Sequence, residues 1–342
     1  MKALVMERAG QVALRDVPEP VLERDDEVLI EVRATGICGT DLNILTGRYS
    51  AREGVILGHE TTGVVLEVGK GVKRFAAGDR IILDPTYFCG SCFYCHSNRP
   101  NYCEEKATTE TGVSRDGTFA ELHVAREAFL HHLPEALSFD EGTLTEPLAC
   151  ALHALTHTRV RPDSRVLILG AGPMGLLFTA AMSATGPDVT VGELDPYRVS
   201  GARRMTEQVR DLAAEPLSGR DGRYDLVIDT SGRMLEAALP RVHRGGEVLL
   251  IGLDHGYEAK IHPAYLTDNG IRLVGSIDTN RSFAPAISLL RRVALFKQII
   301  THRMPLEAYE SALGLLGIQL GGSSTPPARS PIQANKIVLA PR

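Results

Sequence analysis

The chain has 342 residues, 44% apolar and 23% charged, with a formal net charge of −5. That length suggests two domains and a sizeable buried core, and the mild acidity without a basic stripe argues against nucleic acid as a partner. No apolar run approaches the roughly 20 residues of a membrane span. The amino terminus MKALVMERAG reads directly as a strand without a targeting pattern, so a reducing, cytoplasmic location is expected.

Residues 1–150 hold short β-type runs broken by glycine: EVLIEVRATG, TTGVVLEVG, DRIILDP and FAELHVA. This is the pattern of a β-rich domain with turns between strands. Within it, TGICGTDLN supplies Cys38, Thr40 and Asp41, and VILGHETTG supplies His59 and Glu60. The stretch DPTYFCGSCFYCHSNRPNYC then places Cys89, Cys92, Cys95 and Cys103 in C-x2-C-x2-C-x7-C. Four thiolates at such spacing can close a tetrahedron around one zinc ion. The alternative, a pair of disulfides, is disfavoured in a reducing compartment. A tetrahedron filled by four cysteines leaves no position for substrate, so this zinc is expected to be structural.

Near residue 140 the texture turns helical in DEGTLTEPLACALHALTHT, after Ser138 or Asp140 as a helix start. This stretch supplies Glu146. A catalytic zinc takes about three protein ligands and keeps one position open. Cys38 offers a thiolate, His59 an imidazole, and Glu60 or Glu146 a carboxylate. Cys150 is expected to be a buried thiol rather than a ligand. His153 and His157 have the four-residue spacing of a helical metal pair, but are read as facing solvent or the domain junction. His131 and His132 receive no role.

From Arg165 strand and helix alternate: RVLILG, GPMGLLFTAAMSA, DVTVGEL, YDLVIDTSG, GEVLLIG, IRLVGS. Continuous apolar strands alternating with helices predict a parallel sheet covered on both faces. The expected division is a zinc-binding catalytic domain of residues 1–154 and 292–342, and a dinucleotide domain of residues 155–291. RVLILGAGPMGLL places Gly170, Gly172 and Gly175 in G-x-G-x-x-G between a strand and a helix. The first glycine permits the tight turn, the second lets a pyrophosphate approach, and the third lets helix and strand pack closely. Glu193 follows the next strand, 23 residues after Gly170. A carboxylate there accepts from ribose hydroxyls and repels a 2′-phosphate, favouring NAD over NADP. Arg198 is the counter-signal, read as a surface or adenine-facing side chain. Only 31 residues separate Glu193 from Asp225, so the crossover helix of the first half is expected to be reduced or absent. GGSSTPPARSP (321–331) reads as a loop, and KIVLA as a strand returning to the first domain.

The motifs CGTD, GHE, EPLA and GAGPMG together resemble the zinc-dependent medium-chain dehydrogenases, closest to their polyol (sorbitol) and threonine dehydrogenase branch. The resemblance extends through RGGEVLLIG, LVGS and ITHRMPLEAYESAL. It implies a GroES-like catalytic domain joined to a Rossmann domain, two zinc ions per chain, NAD and an oligomer (dimer or tetramer). It implies that Cys38, His59, Glu60 and Glu146 surround the catalytic zinc, and that Asp41 orients the ligand histidine. Thr40 would hydrogen-bond the reacting oxygen and relay its proton. Pro173, Met174 and Ser276 join the glycines, Glu193 and Arg198 as cofactor contacts, and Tyr49 and Phe119 become pocket candidates. The activity implied is hydride transfer between NAD(H) and a secondary alcohol or ketone. The alternatives are a threonine-type amino alcohol dehydrogenase and a non-catalytic zinc-binding protein on an inherited fold. Two positions depart from the pattern. Asn43 stands where relatives often have a relay histidine, and Asp278 lies where sorbitol-type enzymes place a pocket arginine. An anion at Asp278 would suit an amine-bearing cyclitol or amino sugar.

Overall fold

The structure is a computed structural model that describes residues 1–8, 10–218, 223–320 and 327–341. The chain opens with β1 (Lys2–Arg8), β2 (Gln11–Asp16) and β3 (Glu27–Gly36), followed by α1 (Gly39–Leu45), β4 (Val55–Ile56), β5 (Glu60–Val68) and β6 (Arg80–Leu83). Two single-turn helices, α2 (Phe93–His96) and α3 (Lys106–Thr109), lead to β7 (Leu122–Arg126) and β8 (Leu130–His132). Helix α4 (Phe139–Gly142) starts at Ser138, whose hydroxyl accepts from the Glu141 N–H while Glu141 reaches back to Ser138. That reciprocal cap makes Ser138, rather than Asp140, the helix start. Helix α5 (Thr145–Thr156) follows.

The alternating part comprises β9 (Arg165–Leu169), α6 (Pro173–Ser183), β10 (Asp188–Glu193), α7 (Pro196–Arg203), β11 (Val209–Asp211), β12 (Tyr224–Asp229), α8 (Leu235–Ala238), β13 (Val242–Leu250), α9 (Pro263–Asn269) and β14 (Arg272–Gly275). The chain ends through α10 (Phe283–Leu290), β15 (Ile300–Pro305), α11 (Tyr309–Leu315), β16 (Ile318–Gln319), β17 (Ala328–Arg329) and β18 (Lys336–Ala340). Of the loop expected at 321–331, residues 321–326 lie outside the described residues, and Ala328–Arg329 pair with β16 instead.

Two compact units emerge: residues 1–146, 279–291 and 300–342, and residues 147–278 with 292–299. These boundaries differ from the expected ones at 155 and 292. The first division falls inside α5, and 279–291, with α10, groups with the first unit. A helix that reads as one sequence segment can serve two units, because packing rather than periodicity assigns it.

In the first unit a seven-stranded sheet runs β15-β18-β3-β5-β6-β8, with β7 also on β3. KIVLA does return here as β18, antiparallel to β3 and parallel to β15. Val28, Ile30, Val65, Ile81, Leu83, Phe75 and Phe129 form one buried cluster around it. Leu4, Ile44, Leu57, Phe119, Leu313 and Leu339 belong to another. Each fully buried side chain of this kind contributes roughly 1.5–3 kcal/mol.

The second unit is a parallel sheet in the order β11-β10-β9-β12-β13-β14. This is the doubly wound dinucleotide-binding order, with its switch point between β9 and β12. Leu167, Leu169, Val227, Val248 and Leu212 fill one face. No α-helix joins β11 to β12 among the described residues, as the short spacing predicts. Strand β13 lies inside the sheet and β14 at its edge, so the GEVLLIG strand cannot pair with another subunit, whereas β14 can.

His123 on β7 is 6% exposed. Burial, together with the Arg115 charge, lowers its pKa to about 4. The unfolded chain therefore takes up a proton near pH 6.5 that the folded chain refuses until about pH 4. Stability is fully present above that window and falls as pH drops through it, by roughly 1.4 kcal/mol per pH unit for this one group. Urea unfolding between pH 7 and 4 should show this slope, and His123→Asn should flatten it.

Candidate functional site

Among the described residues, two groups of metal-ligating side chains have their ligand atoms within 4.8 Å of one another: Cys89, Cys92, Cys95 and Cys103, and Cys38, His59 and Glu60. The four-cysteine loop is unpaired by disulfides, with Sγ···Sγ separations of 3.9 Å (Cys89–Cys95), 3.5 Å (Cys92–Cys95) and 4.0 Å (Cys92–Cys103). Four sulfurs about 2.3 Å from one zinc would lie about 3.8 Å apart, so the donor set fits that ion. Backbone N–H groups of Ser91 and Cys92 donate to Cys89 Sγ, and that of Cys89 to Cys103 Sγ. The Ser91 hydroxyl and these N–H groups pull the Cys89 thiol down to about 6, whereas burial pushes Cys95 up to about 12. A divalent cation is what would hold all four as thiolates together.

The second group is assembled from three chain segments. Cys38 ends the β3 segment and caps α1: its Sγ accepts from the Thr40 N–H at 3.5 Å, while Asp41 Oδ2 accepts from the Cys38 N–H at 2.8 Å. The CGTD motif is thus a helix start that turns the thiol and Asp41 inward, and Asp41 is 1% exposed. The Thr40 hydroxyl lies 3.7 Å from Cys38 Sγ. Glu60 begins β5, and His59 immediately precedes it. The preceding Gly58 has φ +92°, and a Cβ there would meet Phe119 at 2.8 Å, so only glycine admits this turn. Phe119 is itself 2% exposed and part of the core. Tyr49 is half-buried against the same core, and its N–H and that of Arg48 donate to the Asn43 carbonyl at 3.1 and 2.8 Å.

Asp41 Oδ1 stands 3.9 Å from His59 Nδ1, beyond hydrogen-bond range but close enough to act on its charge. Burial presses the His59 pKa down, yet Cys38, Asp41 and Glu146 together hold it well above the usual value. Burial raises the Asp41 pKa against the pull of His59. Glu146 lies outside the 4.8 Å group but acts on it through its charge.

Sequence reasoning missed Lys336. It is 1% exposed, its ammonium pairs with Glu60, and its Nζ donates to the Ile37 carbonyl at 2.9 Å. Burial lowers its pKa, but Glu60 and Cys38 outweigh that and keep it charged. The signal was present in KIVLA: a lysine leading a strand in which all five residues are buried. Gly36 has no room for a side chain, because a Cβ would run into Glu60 and come 2.8 Å from Lys336 Cε. Glu60 Oε1 and His59 Nδ1 remain buried without hydrogen-bond partners. Three carboxyl groups and a thiol thus face one lysine and one imidazole. Orphaned donor atoms and surplus negative charge are what a divalent cation satisfies.

In the second unit, Gly170 has φ +104°, and a Cβ at Gly175 would run into the Gly170 carbonyl. The turn and the close helix packing expected of the motif both follow. Pro173 opens α6 after Gly172, where a missing N–H costs nothing. Glu193 is 8% exposed. It accepts from the N–H groups of Ala171 at 2.6 Å, Leu194 at 2.6 Å and Asp195 at 2.9 Å. It therefore ties the glycine-rich turn to the end of β10. The Arg198 guanidinium lies 3.7 Å from where a Gly172 Cβ would be, and its Nε is buried without a partner. Met174 is half-buried. Ser276 is 9% exposed, and its hydroxyl lacks a protein partner. Asp278 is half-buried with φ 56°.

Residues 24–135 match the alcohol dehydrogenase GroES-like domain. Sorbitol dehydrogenase of Bacillus subtilis is 32% identical over 328 residues, covering 92% of each chain. The chain belongs to the polyol dehydrogenase branch of the zinc-type medium-chain dehydrogenases. D-altritol 5-dehydrogenase of Agrobacterium fabrum is 31% identical, covering 90% of this chain and 93% of that one. Among solved structures, one assigned to a zinc-binding dehydrogenase from Sinorhizobium meliloti 1021 with NADP bound superposes with a TM-score of 0.88 at 28% identity, over 99% of both chains. The 2R,3R-butanediol dehydrogenase of Bacillus subtilis reaches a TM-score of 0.85 at 25% identity, over 100% of this chain and 99% of that one. The protein is therefore an alcohol dehydrogenase with a GroES-like domain and a Rossmann domain. The two curated relatives are named for sorbitol and D-altritol, both polyols. Zinc and a nicotinamide cofactor go with this family.

Two outcomes test the site. Lys336→Met should strand the buried Glu60 charge and cost about 3–5 kcal/mol, measured by urea unfolding, with Lys336→Met/Glu60→Gln recovering much of that loss. Cys92→Ser should lose about one zinc per chain, measured by metal analysis, and open residues 86–110 to limited proteolysis.

Proposed function

We infer that this dehydrogenase transfers hydride between NAD(H) and a secondary alcohol or ketone of a polyol, cyclitol or amino sugar, with one catalytic and one structural zinc per chain. The observation that carries the reading is the buried group of Cys38, His59 and Glu60, with the Glu146 charge beside it. Cys38, His59, Glu60 and Glu146 would hold the catalytic ion, and Cys89, Cys92, Cys95 and Cys103 the structural one. Zinc, when bound at the first group, supplies Lewis acidity toward the substrate oxygen.

The chain's own groups do the rest. Lys336 pairs with Glu60 and holds it in place, and the Asp41 charge acts on His59. The Thr40 hydroxyl, set at the start of α1, hydrogen-bonds the reacting oxygen and passes on its proton. Asn43 takes no proton at accessible pH, so exchange beyond Thr40 is with water. Gly170, Gly172, Pro173, Met174 and Gly175 cradle the pyrophosphate. Glu193 and Arg198 meet the adenosine side, Ser276 the nicotinamide side, and Glu193 disfavours a 2′-phosphate. Tyr49 and Phe119 shape the substrate side. Polyols are the preferred class, since the relatives' names point there. The amine-bearing class rests on Asp278 alone. The outer edge of β14 suits pairing into a dimer or tetramer, and the unpaired cysteines suit a reducing, cytoplasmic setting.

A screen of polyols, cyclitols and their amino counterparts, followed by NADH absorbance on zinc-replete protein, tests this. Turnover with NAD over NADP and about two zinc ions per chain are expected. Cys38→Ser should cut turnover on the order of a thousandfold, the several kcal/mol that the metal supplies. Tight NAD binding with no turnover of any alcohol or ketone would sink the reading. Unchanged amine preference in Asp278→Ala would remove the amino-sugar arm alone.

A further inference from the structure

The second unit carries a pair of histidines that neither the chemistry above nor the four-cysteine loop uses. His153 and His157 lie one helical turn apart, at the end of α5 and one residue beyond it, so both project from one side. Of the two settings expected for them, solvent and the domain junction, solvent does not hold for His153, which is 5% exposed, while His157 is half-buried. Their Nε2 atoms are 3.3 Å apart, with ring centroids 4.6 Å apart and planes inclined at 76°. Two imidazole nitrogens bound at 2.0–2.1 Å to one tetrahedral ion would be separated by about 3.3 Å.

Asp278, in the same unit, is near enough for its charge to raise the proton affinity of His153, against burial and the His157 charge, which lower it by more. The net effect leaves His153 unprotonated near neutrality, the state in which imidazole binds metals. Asp278 holds φ 56°, a left-handed conformation that a residue other than glycine adopts at a cost and that the surrounding structure must enforce. Cys150, three residues before His153 on the same side of the helix, is half-buried rather than buried as the sequence suggests. Arg159, two residues beyond His157, and Arg272, which donates to the His157 carbonyl, both pair with Glu247, which offsets their charge.

We propose that His153 and His157 chelate a transition-metal ion of borderline softness at a third metal site on α5, with water completing its coordination. Two imidazoles suit Zn2+, Ni2+ or Cu2+ rather than the hard cations Mg2+ and Ca2+. Without the ion, one ring's N–H donates to the other's nitrogen. With it, the donor ring carries its proton on Nδ1 instead, and both Nε2 atoms face the metal. The site is independent of the hydride-transfer assignment, since none of its ligands belongs to either cluster described above.

The test uses full-length, zinc-replete protein titrated with Ni2+ and then Cu2+ by calorimetry. One further ion per chain is expected, and the Cu2+ form should show two nitrogen ligands by electron paramagnetic resonance. His157→Gln, at the less buried position, should weaken that binding by at least roughly tenfold while leaving zinc content and circular dichroism unchanged. Binding that is unchanged in His157→Gln, or a Cu2+ spectrum with fewer than two nitrogens, would overturn the proposal. So would the absence of a further equivalent in the wild type. The wild-type spectrum stands on its own should a variant fold poorly.

Discussion

Burying negative charge is the constraint around which the first unit is organised. Asp41 and Glu60 are 1% and 0% exposed, and Cys38 and Glu146 act on the same space. Nothing in a protein interior tolerates such a group without compensation. Lys336 supplies one positive charge from β18, the last strand of the chain, and His59 accepts another. The remainder, surplus charge and orphaned ligand atoms, is what a divalent cation would satisfy.

The rest of the first unit serves that placement. Strand β3 must end where α1 begins, so that Cys38 can cap the helix and present its sulfur. A left-handed Gly58 packed against Phe119 must precede strand β5, so that His59 and Glu60 turn inward. Strand β18 must lie beside β3 to deliver Lys336. Residues 36, 38, 59, 60 and 336 are far apart in sequence, and it is sheet pairing that joins them. The loop from Cys89 to Cys103 has no comparable strand framework, which is why four close sulfurs suit it: a metal can replace a core where the chain is too short to build one.

In the second unit the same economy appears with backbone groups. Glu193 accepts three N–H bonds and so shapes the turn that a cofactor would meet, while Asp229 at the end of β12 accepts from Ser231, Gly232 and Met234. Both carboxylates order the loops at the carboxyl ends of the parallel strands, where open α/β sheets bind their ligands. A residue assigned to a ligand by motif can thus also be a structural part of its own loop.

Local signals in the sequence determined the strand–helix alternation, the four-cysteine loop, the glycine-rich turn, the Ser138 region as a helix start and the chemical types of the first metal group. Each depends on neighbours within about one or two turns or on spacing along one segment, and such information survives in a linear chain. Only the tertiary structure decided the partnership of Glu60 with Lys336, the assignment of α10 to the first unit, the interior position of β13 and the burial of His153 against His157. Each of these depends on which surfaces meet across hundreds of residues or across a sheet. A residue's burial and its partner are properties of that packing, so no local pattern encodes them.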